Sequence, residues 1–443
     1  MEGAVKDKTL LDLLRELTSG ALDAEDVLEA GMSCIRDLNE SLHAFITVFD
    51  TPLRRADYKR RPLKGVPISV KDLIHVKGYP TTAGSKILRD YMPDYTAEIV
   101  EILLKLGATV IGKTNLHEFA FGVTNKNPHY GNCINPHRRD RISGGSSGGS
   151  AVAVATGMSA LALGTDTAGS IRIPASYCGV TGFKPSYRLL SRNGVLPLSW
   201  SLDHVGYLGK SVRDIAFITG LTTQPPLFRD FRRSFRPYDL RRLRIGIPRN
   251  HFLEHVEEDV MHNFERTIGL LDRNGADVKD ITFPDYEKFR DCRHIIVHAE
   301  AAAFHLKMMR ESLGDYGEDV RRRLLEGMSI PASSYITALR ARGPLLAKFR
   351  RIFREVDVLA MPTTVITAPK IDAESVEVAG VEFDVRTASL RNTEVFNVVG
   401  APAISMPNGY SREGLPTSLQ LVADINADWT LLSIAAGVED LLS

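Results

Sequence analysis

Serine is concentrated where chemistry could occur in this chain: residues 143–150 read SGGSSGGS, and AVAVATG follows at once. A run with no side chain larger than a hydroxyl cannot fill a core. A linker would be flanked by domain edges, not by an apolar stretch. Glycines ahead of a helix can offer backbone N–H groups to a phosphate. The phosphate-loop pattern G-x-x-x-x-G-K-[ST] needs a lysine that does not follow here, however, and GxGxxG is missing too. GGSSG (144–148) satisfies the G-x-S-x-G pattern of a nucleophile elbow, which requires a hydrophobic strand immediately upstream. Upstream stands NPHRRDRIS, a basic turn. A literal serine–histidine–aspartate set can be drawn from Ser201, Asp203 and His204, but three near-adjacent residues rarely converge into triad geometry.

The elements that must position these residues alternate. LLDLLREL and AEDVLEAGMSCIRDL carry apolar residues at helical spacing. GVPISVKDLI (65–74) is a short β-branched run suited to a buried strand. TAEIVEILLKLG predicts a helix closed by Gly107, with ATVIGKTN as the next strand. AVAVATGMSALALGTD predicts a small-residue helix, a glycine stop and an apolar strand, with Ser150 as the helix N-cap. A second set starts at RIGIPRN (244–250), continues through DVMHNFERTIGLLDRNGA, and ends with strands in VDVLAMPTT (356–364) and GAPAISMPNG (400–409). The fold class expected is α/β, a large mixed β-sheet covered by helices on both faces.

Composition narrows the function classes. The 443 residues carry 55 Lys plus Arg against 54 Asp plus Glu, so no bulk positive field argues for nucleic acid or a membrane surface. The arginine-dense FRDFRRSFRPYDLRRLR (228–244) reads as a solvated connector. Cys34, Cys133, Cys178 and Cys292 show neither CxxC nor ligand spacing, which argues against a disulfide scaffold or structural zinc. The N-terminal segment MEGAVKDKTLLDLL reads as an amphipathic helix without signal-peptide character, and no apolar run is long enough to span a bilayer. The expected compartment is the reducing cytoplasm.

The whole segment SGGSSGGSAVAVATGMSALALGTDTAGSIRIPASYCGVTGFKP (143–185) resembles the amidase signature, the glycine- and serine-rich block of the amidase signature hydrolases. GVPISVKD upstream, EFAFGVTNKNPHYGN between, and GAPAISMP with GLPTSLQL near the end fit as well, so the resemblance spans nearly the whole chain. It implies one amidase signature domain over 1–443. That domain would comprise an N-terminal helical part (1–64), a catalytic core (65–219), a connector (220–243) and a C-terminal part (244–443) completing the sheet and substrate pocket. It also implies a Ser-cisSer-Lys mechanism without metal or cofactor: Lys71, Ser146 held by a cis peptide bond, and Ser170 as nucleophile. The backbone N–H groups of Thr167, Ala168, Gly169 and Ser170 would form the oxyanion hole. Where that family usually has Gly-Gly-Ser, this chain has Ala168-Gly169-Ser170; alanine fits there if its φ is negative and is strained if φ is positive. Phe119, Phe121 and Asn125 fall where the family often lines its acyl pocket.

Elementary chemistry supports the assignment. A serine hydroxyl needs a base within hydrogen-bond reach. Free lysine titrates near 10.4, so a neutral amine at pH 7 costs about 4 kcal/mol of pKa depression, which burial in an apolar strand supplies. Asp72 alternates to the opposite face of that strand and need not neutralise Lys71. Asp166 and Arg172 read as loop-fixing partners, Ser147 as structural, and Cys178 as a small buried residue.

Three functional expectations follow from the resemblance. The first is a free-standing amidase that releases acid and ammonia or amine from a small amide, with a homodimer as a further expectation. The second is the A subunit of a tRNA-dependent amidotransferase, taking ammonia from glutamine beside B and C subunits and tRNA. In that reading Arg342 of YITALRAR would hold glutamine, but the acidic residue usual after the late GLQ-type strand is replaced by Ala427, with Asp428 one position on. The third is a catalytically silent scaffold, which predicts the loss of Lys71, Ser146 or Ser170. All three residues are present, and the first expectation ranks highest on sequence.

Overall fold

The structure, a computed structural model, describes residues 6–224 and 231–442. Among the described residues thirteen strands are formed: β1 (Phe45–Leu53), β2 (Pro67–Lys71), β3 (Thr109–Thr114), β4 (Leu161–Asp166), β5 (Thr181–Lys184), β6 (His204–Gly209), β7 (Arg244–Pro248), β8 (Asp277–Ile281), β9 (Val358–Pro362), β10 (Ser375–Val378), β11 (Val381–Asp384), β12 (Ala403–Tyr410) and β13 (Pro416–Val422). Eleven of them make one sheet in the order β1-β3-β2-β4-β6-β5-β12-β13-β9-β7-β8, and β10 and β11 form a separate hairpin. β2 runs parallel to β3 and β4, β7 parallel to β8 and β9, and the remaining pairs are antiparallel. The sheet is therefore mixed, as expected.

Alternation along the central strands sends side chains to two apolar layers. Leu161 and Leu163 of β4 join one cluster, while Ala162 joins another with Ala151, Val152, Val154 and Leu208. The second layer is built by the helix Gly148–Ala155, whose small residues let it lie close to the sheet. The helix expected in TAEIVEILLKLG covers Glu98–Lys105, and Gly107 follows at φ 93°.

Ser150 is not the N-cap. The helix begins at Gly148 after Ser147, and the Ser150 hydroxyl donates to Leu163 O at 3.0 Å and lies 2.8 Å from Thr114 Oγ1. Tying the helix to β4 and β3 outcompetes a local cap. The connector expected over 220–243 lies partly outside the described residues. Within them, Leu240–Arg242 forms a single 3-10 turn before β7.

Candidate active site

Three lysines lie wholly inside the protein, and their partners differ in kind. Lys113 pairs with Asp72 at 2.8 Å and also donates to Thr81 Oγ1 at 3.0 Å. Lys184 donates to the carbonyls of Pro185 and Ala401. Lys71, the last residue of β2, has Ser146 Oγ at 2.7 Å and Thr165 Oγ1 at 2.8 Å, and no carboxylate among the described residues forms an ion pair with it. Of these partners only a hydroxyl can both donate a hydrogen bond to a neutral amine and accept one from it. Burial pushes the Lys71 amine down to about 7, against the smaller upward pull of Asp166 and Asp203. Asp72 does turn away from Lys71: it is held by Lys113 and by Thr82 N at 3.1 Å.

The glycine-serine run wraps around this amine. The peptide bond Gly145-Ser146 is cis. A Cβ on Gly145 would stand 2.9 Å from Asn125 N and 3.0 Å from Val123 C, so no larger residue fits where loop 123–125 lies against it. Ser147 Oγ donates to Thr165 O at 3.1 Å and accepts from Thr165 N at 3.3 Å, while Ser147 N donates to Ser170 O at 3.1 Å. Ser147 thereby ties the loop both to Lys71's second partner and to Ser170.

Ser170 itself is 7% exposed, and its hydroxyl has no hydrogen bond among the described residues. The Ser146 and Ser170 hydroxyls are not bonded to each other. Beneath the Ser170 turn, Asp166 accepts from Gly169 N at 2.8 Å, Ile171 N at 3.1 Å, and Arg172 through Nε at 3.0 Å and Nη2 at 2.9 Å. Burial alone would raise the Asp166 carboxyl, but the Arg172 guanidinium, joined by Lys184 and Asn397, holds the group well below the usual carboxylate range. Arg172 reaches further, to Thr393 O at 2.9 Å, Gln420 Oε1 at 2.8 Å and Asn397 Oδ1 at 2.8 Å. Asp166 and Arg172 thus fix the loop.

Of the four N–H groups expected at the oxyanion hole, Gly169 is already committed to Asp166, because that short carboxylate bond is what bends the turn. The N–H groups of Thr167, Ala168 and Ser170 have no acceptor among the described residues. Ala168 does not adopt a positive φ, whereas Gly169 sits at φ 140°, and a Cβ there would collide with Thr393 Oγ1. The strained position is the glycine, and alanine is compatible with position 168.

The literal triad does not assemble. Ser201 Oγ donates to Glu300, and His204 Nδ1 bonds the Leu202 carbonyl at 2.7 Å. Asp203 accepts from Thr167 Oγ1 at 2.6 Å and from the backbone of Leu198 and Ser199. Burial pushes the Asp203 carboxyl up to about 6. A cavity of about 480 Å³ opens beside Thr165, Thr167 and Asp203, walled by Leu73, Leu198 and Trp200.

The substrate-binding residues expected from sequence do not line that cavity. Phe121 is buried with its ring centroid 5.1 Å from that of His298, and Phe119 packs on His305 and Tyr316. Asn125, at φ 56°, is wholly buried with both side-chain amide atoms unpaired, against Gly145 and Gly148. Arg342 donates from Nε to Val398 O at 2.9 Å, on the helix Ala332–Ile352. Asp428 is taken up by Ser186 N at 2.7 Å and Ser186 Oγ at 2.5 Å. Cys178 is buried and donates to Ser143 O. Of the residues that sequence reasoning missed, Glu300 carried no signal beyond being a polar residue in apolar company, Thr165 stood inside the signature segment, and Asp203 was drawn only as part of the literal triad.

With this geometry, similarity to known proteins becomes informative. The amidase family profile matches residues 26–432. The chain belongs to the amidase family. It is 34% identical to the A subunit of the glutamyl-tRNA(Gln) amidotransferase of Acidobacterium capsulatum, covering 98% of this chain and 99% of that one. Among solved structures, a chain described as an amidase aligns at TM-score 0.90 and 33% identity, over 98% of this chain and 100% of that one. The corresponding amidotransferase chain of Thermotoga maritima aligns at TM-score 0.81 and 30% identity, over 98% and 95%.

Proposed function

We propose that this amidase-family chain cleaves a carboxylic amide C–N bond with Ser170 as nucleophile, Lys71 as base and Ser146 as the relay between them. One observation carries the reading: a wholly buried amine, with a pKa near 7, whose hydrogen-bonding neighbours are two hydroxyls. A neutral amine has two N–H bonds and one lone pair. It donates to Thr165 Oγ1 and accepts the Ser146 proton, while Ser146 accepts the proton of Ser170. Catalytic hydrogen bonds in free enzymes often tighten only with substrate bound, and the link from Ser146 to Ser170 is assigned to that state.

Ser170 Oγ then bonds to the carbonyl carbon, and the carbonyl electron pair moves onto oxygen. The N–H groups of Thr167, Ala168 and Ser170 are available to that oxyanion. As the C–N bond breaks, the proton held at Lys71 returns through Ser146 to the leaving nitrogen. An ester remains on Ser170, and water entering by the same relay releases the acid.

The curated relatives favour the amidotransferase role over the free-standing amidase that ranked first on sequence, since the Acidobacterium capsulatum protein and further ones from Clostridium botulinum are named as amidotransferase A subunits. In that reading the nitrogen leaves glutamine as ammonia, beside B and C subunits and tRNA. The free-standing reading keeps two supports: the higher TM-score to the solved amidase, and the commitment of Asp428 to Ser186. Ammonia release decides. The purified chain is assayed with glutamine and with simple aliphatic and aromatic amides, alone and with B and C subunits and charged tRNA. Glutaminase activity that needs the partners supports the amidotransferase role; turnover of simple amides alone supports the hydrolase. No turnover in either setting, with no serine labelled by a fluorophosphonate, overturns amide cleavage.

A further inference from the structure

The loop from Asn115 to Asn125 grips the glycine-serine run at three places. Gly149 N donates to Asn115 O at 3.1 Å, His117 N donates to Ser146 O at 3.2 Å, and residues 123–125 lie against Gly145. The middle contact falls on Ser146 itself, whose hydroxyl meets Lys71 Nζ at 2.7 Å. This loop does not hold its shape by local preference. Phe119 and Ala120, in its 3-10 turn, stand at φ 50° and 59°, where residues with a side chain are seldom found. Such backbone persists only where its surroundings over-determine it.

Those surroundings come from the helix Glu318–Met328 and the residue before it. The His117 imidazole is buried, with Nε2 2.9 Å from Asp319 Oδ2; a carboxylate only accepts, so Nε2 carries the proton. Thr124 Oγ1 lies 3.4 Å from Nδ1. The same Asp319 oxygen takes Arg323 Nη1 at 2.9 Å, and that nitrogen donates to Phe121 O at 2.6 Å, which closes a ring of contacts around the turn. Glu118, next to His117, accepts Gly317 N at 2.8 Å and Ser85 Oγ at 2.6 Å. A Cβ on Gly122 would stand 2.1 Å from His117 Nε2, so the imidazole fits only beside a glycine. His117 therefore has a ring fixed from both sides and a backbone N–H committed to Ser146.

We propose that His117 is a positioning residue for Ser146. With its imidazole clamped by Asp319, its N–H holds the Ser146 carbonyl and so sets where the Ser146 hydroxyl stands between Lys71 and Ser170. This rests on the proposed relay and goes beyond it by naming what aims its middle member. A misplacement of about 1 Å in such a group can cost on the order of a hundredfold in rate.

The test reads fluorophosphonate labelling of Ser170, which needs no knowledge of the natural amide, as a maximal rate kinact and a half-saturating concentration KI. His117→Ala is expected to lower kinact about ten- to a hundredfold and to leave KI within about threefold. His117→Gln keeps an N–H donor close to the Nε2 position and should recover most of kinact. Asp319→Ala releases the imidazole from the other side and should give a smaller loss of the same kind. The deciding measurement is a cycle with Ser146→Ala. A residue that acts through Ser146 adds nothing once that hydroxyl is gone, so the double variant should label as slowly as Ser146→Ala alone. Circular dichroism checks that each variant folds, and if His117→Ala does not, Asp319→Ala takes its place in the cycle. Wild-type kinact in folded His117→Ala, or losses that multiply in the double variant, overturns the role of His117 and leaves cleavage at Ser170 standing. Full labelling in Ser146→Ala, or a wild type not labelled at Ser170, sinks the relay and the positioning together.

Discussion

Asp203 accepts a 2.6 Å hydrogen bond from the hydroxyl of Thr167, the first residue of the proposed oxyanion turn. The same carboxylate accepts the N–H groups of Leu198 and Ser199, and Ser199 Oγ continues to Glu300 at 2.6 Å. A wall of the cavity and the turn before Ser170 are thus fastened at one point. Thr167→Val removes the hydroxyl and keeps the shape. Net hydrogen bonds to charged groups contribute about 1.5–3 kcal/mol, so amide turnover is expected to fall roughly ten- to a hundredfold. Unaltered kcat/KM in that variant would show that the tether does not matter.

The pH profile follows from Lys71. Its folded pKa lies near 7, well below the ordinary lysine value, because burial disfavours the ammonium. Only the neutral amine accepts a proton, so kcat/KM should rise about tenfold per pH unit below 7 and level off above it. Thr165→Val removes an acceptor that favours the charged form, and the limb should move to lower pH. Lys71→Met should lower turnover on the order of a thousandfold or more and abolish the limb. A limb that persists in that variant would assign it to another group.

Gly169 and Ala168 give opposite expectations. Gly169→Ala places a Cβ at φ 140° and against Thr393 Oγ1. Such positions cost about 1–3 kcal/mol, read as a lower urea midpoint. Ala168→Gly changes a residue without a positive φ and should shift the midpoint little. Equal midpoints for both variants would contradict the backbone described.

Arg172 is wholly buried with five polar contacts, two of them to Asp166. Removing one partner of a buried pair typically costs about 3–5 kcal/mol. Arg172→Met is therefore expected to unfold at much lower urea. Arg172→Lys should not rescue it, since one ammonium cannot serve acceptors spread over a planar fork. Wild-type stability in either variant would refute the account.

What sequence makes legible is contiguous. The run 143–185 carries the helix Gly148–Ala155, β4, the helix Arg172–Cys178 and β5, and its glycine and serine spacing records where these must pass close to one another, while Lys71 was visible as a polar end to an apolar strand. The features that sequence hides are long-range. The bond from Gly169 N to Asp166 removes one of the four proposed oxyanion donors, although nothing in AGS announces it. Ser150 looked like a cap because caps are local, but its partners, Leu163 and Thr114, come from two strands.

The seam between β5 and β12 has a consequence for biosynthesis. Ser170 emerges from the ribosome long before Thr393, Asn397 and Gln420, the residues that hold Arg172 in place. Until they arrive, β5 presents an open edge and the turn that carries Ser170, the proposed nucleophile, has no floor. A truncated chain ending near 224 should therefore aggregate or require a chaperone, and resist fluorophosphonate labelling; ready labelling of that fragment would show that the turn sets itself. In the growing polypeptide the enzyme would stay disarmed until translation is nearly done.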